Sequence, residues 1–478
     1  MKKLTFKRGI HPSDEKYFSK DIPIRLIPAT GDMVYPLSQH IGAPATPIVS
    51  VGDEVLAGQK IAEATGFVSV PIYSAVSGKV KAIAPHQTTT GENATCIIIQ
   101  NDGQNRWIND TYRPDYPDRS DSDYAEKLMS SERVKHMTAA DIRAAVREAG
   151  LVGLGGAGFP AAVKLTPPDD GKIEYFIVNA AECEPYLTSD DRLMLERGDE
   201  LLYGCEILLR LFPNAKCLIG IEANKQDAIR SLSEKAEKHQ NIFVKPLKAK
   251  YPQGGERMLI YALTKRKLNS TLLPSNVGCV VINVATVITA FRAVTLGQPL
   301  THRIMTVTGD AVASPCNLEV PIGISYDRVL EAAGGLSPDA DPEKLITGGP
   351  MMGTALFRLD LPVTKTSASI LAMRRDPVAI DDPTPCIHCG RCLSACPERL
   401  VPQTLSAAAE NDEFDRFEAL GGMECIECGS CAYVCPAKRH LVQSMRYGKR
   451  QTGAIIRARK AAEAAKAKEE SEKGGKEA

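Results

Sequence analysis

The chain has 478 residues, 44% of them hydrophobic, and its 58 basic side chains balance its 58 acidic ones to a formal net charge of +0. That length allows three or more domains with sizeable cores, and the charge balance argues against a nucleic-acid-binding role. Lys2 and Lys3 lack an apolar run behind them, so no signal peptide is expected, and the 14 cysteines, eight of them in two dense runs, suit a reducing compartment rather than a disulfide framework.

Residues 1–120 read as an all-β module. Val51-Gly-Asp-Glu-Val-Leu-Ala-Gly58 and Pro71-Ile-Tyr-Ser-Ala-Val-Ser-Gly78 carry short apolar runs broken by glycine. These segments resemble the barrel-sandwich hybrid of biotinyl and lipoyl carriers. Between them the hairpin tip 64–70 has no lysine to take a carried group, so a packing or docking role is expected. Pro114, Pro117, Ser120, Ser122 and several Asp mark 113–137 as a polar surface connector. A helix follows, with Thr138 and Asp141 suited to its start and Gly150 to its stop.

Residues 121–300 read as an α/β domain. Gly153, Gly155, Gly156 and Gly158 put four glycines into six residues, which lets backbone N–H groups approach a phosphate or a flat ring, and Lys164 can add a counter-charge. A tight packing turn is the alternative for such a loop. Tyr175-Phe-Ile-Val-Asn179 reads as a buried strand running into Glu182-Cys183-Glu184-Pro185, an acidic turn where α/β sheets place ligands. Tyr251-Pro-Gln-Gly254-Gly255-Glu256 and Val280-Val-Ile-Asn283 come later.

In this order the motifs resemble the flavin- and NADH-binding subunit of respiratory complex I. That resemblance implies FMN lined by Gly153, Gly155, Gly156, Gly158, Lys164, Asn179 and Asn283, with Phe159, Glu182, Glu184 and Glu256 on the FMN or nicotinamide side. The chain departs from the pattern at three places. The family's arginine is Leu154, an aspartate of the acidic turn is Ala181, and one of two paired asparagines is Ile282. No catalytic side chain is singled out.

Residues 268–291 contain no charge but hold Asn269, Pro274, Asn276 and Asn283, so a buried loop, strand and helix is expected there rather than a membrane span. Residues 301–360, with a helix near Ser325 to Ala333, resemble the soluble-ligand-binding β-grasp (SLBB) module, expected here to pack rather than bind.

Within 370–445, Cys386-x2-Cys389-x2-Cys392-x3-Cys396-Pro397 is repeated as Cys425-x2-Cys428-x2-Cys431-x3-Cys435-Pro436. This is the bacterial ferredoxin spacing, in which the fourth cysteine serves the other cluster. The resemblance implies one [4Fe-4S] cluster on Cys386, Cys389, Cys392 and Cys435, and a second on Cys425, Cys428, Cys431 and Cys396. Two zinc sites are the alternative. Helices are expected between the runs, in a helical ferredoxin-like fold, and 446–478 reads as a charged helical or disordered tail.

Barrel, flavin domain, β-grasp module and two clusters, opened by Gly9-Ile-His-Pro12, resemble the C subunit of Rnf membrane complexes over nearly the whole chain. The resemblance implies exchange between NAD(H) and FMN, single-electron steps through the clusters, partner subunits that link ferredoxin-dependent electron flow to ion movement, and a peripheral place on the cytoplasmic face of the membrane. A corrin reductase with similar parts but a later barrel, and a flavin-less electron wire or scaffold, are the alternatives.

Overall fold

Runs of β-branched residues bounded by Gly, Pro and Asn become the sheets, and the polar-flanked apolar stripes become helices around them. The computed structural model describes residues 3–117, 123–376, 378 and 380–474. It divides into two units. The first comprises Pro12–Leu268 and Leu272–Asp376 with the chain up to Thr5; the second comprises Phe6–His11, Asn269–Thr271 and the chain after Asp376.

In the first unit, Met33–Pro36, Asn93–Asn101, Gly78–Gln87 and Glu54–Val55 make an antiparallel sheet, in that order, beside a three-stranded sheet of Thr46–Pro47, Lys60–Glu63 and Ile72–Tyr73. Met33, Tyr35, Ile97 and Ile99 alternate inward and are fully buried, as a half-solvated sheet requires. The flavin-type domain is a parallel sheet in the order Ile242–Leu247, Lys216–Glu222, Tyr175–Ala180, Cys279–Asn283. Helices cover it, and its strands Lys216–Glu222, Tyr175–Ala180 and Cys279–Asn283 are accordingly buried almost throughout, while the edge strand Ile242–Leu247 is buried only at its ends.

Thr138 caps the helix Ala139–Glu148 in a reciprocal pair with Asp141, and Gly150 leaves it at φ 69°. The segment read as a surface connector is more than that. It forms two short helices, Tyr124–Met129 and Glu132–Lys135, and Ala125 and Val134 are fully buried in the core. Their few apolar side chains dock while polar neighbours face out, which composition alone conceals. The uncharged stretch becomes a turn at Pro274–Val277, the strand Cys279–Asn283 and the helix Val284–Leu296, whose charge-free faces are core. Leu272 and Leu273 are exposed, so the loop is not buried as expected. No helix among the described residues is long and apolar enough to cross a membrane.

The β-grasp sheet runs Ile24–Leu26, Cys316–Pro321, His302–Thr308, Ser369–Met373, Lys344–Thr347, Thr354–Ala355, with the helix Tyr326–Ala332 beside it. Its first strand comes from the start of the chain, pairing parallel with Cys316–Pro321. Such pairing is made by backbone groups, so it leaves no side-chain signature.

In the second unit, Pro402–Glu410, Phe414–Ala419 and the start of Leu441–Gly474 enclose a small core of Leu405, Ala408, Ala409, Phe417 and Met445. The tail continues this last helix to Gly474, and 475–478 lie outside the described residues.

Candidate functional site

Asn179 and Asn283 stand in register on neighbouring parallel strands, at the carboxyl ends where such sheets bind ligands. Asn283 Oδ1 caps the helix Val284–Leu296 by accepting from Ala285 N at 2.9 Å, and its Nδ2 donates to Asp190 Oδ2 at 2.7 Å. Asn179 Nδ2 donates to the Gly254 carbonyl at 2.8 Å, tying the strand end to the 251–256 turn.

The glycine loop is pinned at its base, where Gly153 N donates to the Phe159 carbonyl at 2.9 Å. A Cβ at Gly155 would lie 2.6 Å from Asn283 Nδ2, and one at Gly158, already at φ 73°, would lie 2.6 Å from Thr366 Cγ2. At Gly156 a Cβ would meet nothing within 4 Å. The loop therefore needs glycine at 155 and 158 to lie where it does, and presents bare backbone at 156. Lys164 Nζ reaches Glu256 Oε1 at 2.9 Å and the Val281 carbonyl at 3.4 Å, so these two expected residues neutralise one another.

The acidic turn is built differently from its motif reading. Glu182, at φ 45°, buries its carboxylate, which accepts from Asp190 N at 2.6 Å and lies 3.7 Å from Lys16 Nζ. Lys16 is itself buried and donates to the Glu184 and Leu187 carbonyls. Lys225, also buried, donates to the Ala181 carbonyl at 2.8 Å and sits 3.9 Å from Glu222 Oε2. Glu184 accepts from Met351 N at 3.1 Å and Tyr251 Oη at 3.4 Å. Burial raises the pKa of Glu182, Asp190 and Glu222 despite the two lysines, and pushes Glu184 up to about 7; burial also lowers that of Lys16.

The structure therefore joins Gly155, Asn283, Asp190 and Glu182 in one chain of contacts, which Lys16 extends to the Glu184 main chain, and pairs Lys164 with Glu256. Lys16, Lys225, Asp190 and Arg303 were not legible as site residues. Arg303 reaches the loop from the β-grasp strand. Its Nη2 donates to the Leu154 carbonyl at 2.7 Å and its Nη1 to the Lys365 carbonyl at 2.6 Å, while its buried Nε has no partner among the described residues. A guanidinium thus stands beside Leu154, the position where the complex I pattern has arginine, but it comes from elsewhere in the chain. The bare backbone, the side-chain amides at the sheet edge and this buried cation fit a bound flavin.

In the second unit, Cys386, Cys389, Cys392 and Cys435 line one cavity, and Cys396, Cys425, Cys428 and Cys431 line another. Each set takes three sulfurs from one run and the fourth from the other. The runs repeat one backbone: His388 and Glu427 at φ 53° and 57°, then Gly390 and Gly429 at φ 71° and 79°. These left-handed residues turn each chain back so that three thiols face one point. Cys389 is exposed, whereas Cys396 and Cys428 are buried. Burial pushes the Cys425 thiol up to about 11 and raises those of Cys396 and Cys428, so they need a bound cationic centre to become thiolates at neutral pH. Among the described residues no group of three or more His, Cys, Asp or Glu is arranged to hold a single metal ion. Four sulfurs around each of two voids fit two [4Fe-4S] clusters.

A glycine loop at the carboxyl edge of a parallel sheet, in one chain with two four-cysteine cavities, defines a flavin and iron–sulfur electron-transfer protein. Family comparisons agree part by part. The RnfC barrel sandwich hybrid domain matches residues 4–104, the Nuo51 FMN-binding domain 146–292, the SLBB domain 304–355 and the 4Fe-4S dicluster domain 379–436. The chain is 41% identical to the C subunit of the proton-translocating ferredoxin:NAD(+) oxidoreductase complex of Clostridium ljungdahlii, over 94% of both chains. It is 40% identical to the Na(+)-translocating counterpart of Acetobacterium woodii, over 94% of this chain and 97% of the other. To the C subunit of the ion-translocating oxidoreductase complex of Yersinia pestis it is 38% identical, over 86% and 63%. The chain belongs to this family, the C subunits of Rnf-type ion-translocating oxidoreductase complexes. An NAD+-reducing [NiFe]-hydrogenase in the H2-reduced state matches 67% of this chain and 66% of its own at 21% identity and a TM-score of 0.48.

Proposed function

We propose that the chain is the NAD(H)-interacting subunit of a membrane ferredoxin:NAD+ oxidoreductase complex, peripheral on its cytoplasmic face and held there by partner subunits. One observation carries the reading. Gly155 packs against Asn283 at the sheet edge and Gly156 beside it presents bare backbone, in the same chain that gathers eight cysteines into two sets of four.

Bound flavin supplies the conversion between the two-electron chemistry of a nicotinamide and the single electrons that iron–sulfur clusters carry. The chain's own part is to hold and orient. Gly153, Gly155, Gly156 and Gly158 let the backbone come close to a flat group, with Asn283 fixed in orientation by Asp190. Lys164 and Asn179 would line the FMN, and Phe159, Glu182, Glu184 and Glu256 would lie on the FMN or nicotinamide side. Cys386, Cys389, Cys392 and Cys435 would hold one cluster, and Cys396, Cys425, Cys428 and Cys431 the other.

The relatives of 41% and 40% identity bear the names of different ions, proton and sodium, so the coupling ion belongs to the partner subunits in this reading. The barrel precedes the flavin domain, which disfavours a corrin reductase. Leu154 and Ala181, together with the ion pairing already made by Glu182 and Lys16, favour a second reading, a wire or scaffold without flavin.

Cofactor extraction followed by an anaerobic NADH titration of the purified, cluster-reconstituted protein separates the two. Extracted FMN and bleaching of flavin absorbance on NADH addition are expected. Intact clusters without flavin, unchanged by NADH, would leave the wire.

A further inference from the structure

The two cysteine runs share a backbone but not an electrostatic surrounding. At the residue before the second cysteine, one run has His388, exposed to solvent, and the other has Glu427, half-buried. Glu427 lies 2.8 Å from Lys449 Nζ and 3.3 Å from Arg446 Nε. Both cations come from the helix Leu441–Gly474, three residues apart and therefore on one face. Lys449 also donates to the Cys425 carbonyl at 2.7 Å. Glu398 lines the same cavity and Glu424 precedes Cys425, so the carboxylates there match or outnumber the cations, and Lys449 is the cation that touches the Cys425 turn itself.

At the other cavity the cations are balanced or in water. Arg439 lines it but pairs with Glu410 at 2.5 Å, Lys438 pairs with Asp381 at 3.1 Å, and Arg391 is exposed and screened. The surroundings also differ in depth, since Cys396 and Cys428 are buried while Cys389 is exposed. Reduction adds negative charge to a cluster, and burial in low dielectric opposes it, whereas a fixed nearby cation favours it.

We propose that Lys449, with Arg446 holding Glu427 in place, raises the reduction potential of the cluster on Cys396, Cys425, Cys428 and Cys431, offsetting the burial and the Glu398 carboxylate that oppose its reduction. The inference rests on the two-cluster reading above, and Lys449 acts in it as a positioning and tuning residue, not a ligand.

The test is a redox titration followed by electron paramagnetic resonance on the full chain with both clusters reconstituted, comparing the unmodified protein with Lys449→Met, Lys449→Arg and Glu427→Gln. Lys449→Met is expected to lower one midpoint potential and leave the other in place. The reduced-to-oxidised ratio of that cluster at a fixed potential should fall about tenfold, ~59 mV for a one-electron couple. Lys449→Arg should restore the original value. Glu427→Gln, which removes the balancing carboxylate, should move the same potential upward. Should Lys449→Met lose its iron, the upward shift in Glu427→Gln decides. Unmoved potentials, or shifts of one sign in both variants, overturn the proposal while the two-cluster reading stands. Absence of cluster signals in the unmodified protein overturns that reading, and this inference with it.

Discussion

At the carboxyl edge of the parallel sheet, Lys16, Lys225, Glu182 and Glu222 bury their charges against one another and against main-chain carbonyls. In the cysteine unit the pairs Arg439–Glu410, Lys438–Asp381 and Arg459–Glu418 lie toward the surface, around an apolar core of five side chains. A buried ion whose partner is removed cannot recover its lost hydration, whereas an exposed one simply turns to water. The difference teaches where each region is fragile: the flavin domain through its charges, the cysteine unit through its thiols.

The largest effect is expected from a thiol. Cys389→Ser should abolish electron transfer beyond the flavin, lowering iron content while NADH still bleaches the flavin absorbance; loss of both activities would mean collapse of the chain. Next comes a buried charge. Lys225→Met strands Glu222 and removes a donor to the Ala181 carbonyl, and should cost about 3–5 kcal/mol of unfolding free energy. Arg459→Met, the same loss of charge at an exposed pair with Glu418, should cost ~1 kcal/mol or less. Denaturant unfolding of both variants measures the contrast, and equal costs would erase it.

Smaller effects should appear as opposite pH dependences. Burial raises Glu184 to about 7, so its carboxyl favours the fold below the ordinary carboxylate range and loses that contribution as pH rises toward 7. Thermal stability of Glu184→Gln should therefore fall less over that window than the unmodified protein's. At Glu410 burial alone would raise the pKa, but bonds from Ser406, Ser444 and Arg439 together bring it below the usual value. Its contribution is present above the ordinary carboxylate range and is lost as pH falls, so Glu410→Gln should be destabilised at neutral pH and converge with the unmodified protein in acid. The smallest effect is Lys164→Ala. Breaking its half-exposed pair with Glu256 should change stability by about 0–1 kcal/mol, and a several-fold weaker hold on FMN should show in a fluorescence titration of flavin-depleted protein.

How much of this was legible in the sequence follows from how local each feature is. Cysteine spacing is local, so both runs were plain, and the crossed sets followed from their ferredoxin likeness. Thr138, Asp141 and Gly150 mark a helix's ends by short-range bonds and were equally plain. Asn179 and Asn283 end strands, and their motifs carried them. Lys16 and Lys225 reach Glu182 and Ala181 across long stretches of chain, and nothing near them in sequence marks a lysine bound for burial. Arg303 lies on a strand of another module and was hidden in the same way. Ala125 and Val134 were lost in a polar stretch because two small apolar residues do not show periodicity.

The central claim is that one chain holds a flavin station and, separately, a pair of clusters that take electrons from it. Anaerobic stopped-flow mixing of the reconstituted protein with NADH tests this most directly, following flavin and cluster absorbance together. Flavin bleaching that precedes cluster reduction, with the second phase lost in Cys389→Ser and the first kept, is the predicted result. Clusters that are reduced without any flavin phase, or an NADH response that disappears entirely with Cys389, would contradict it.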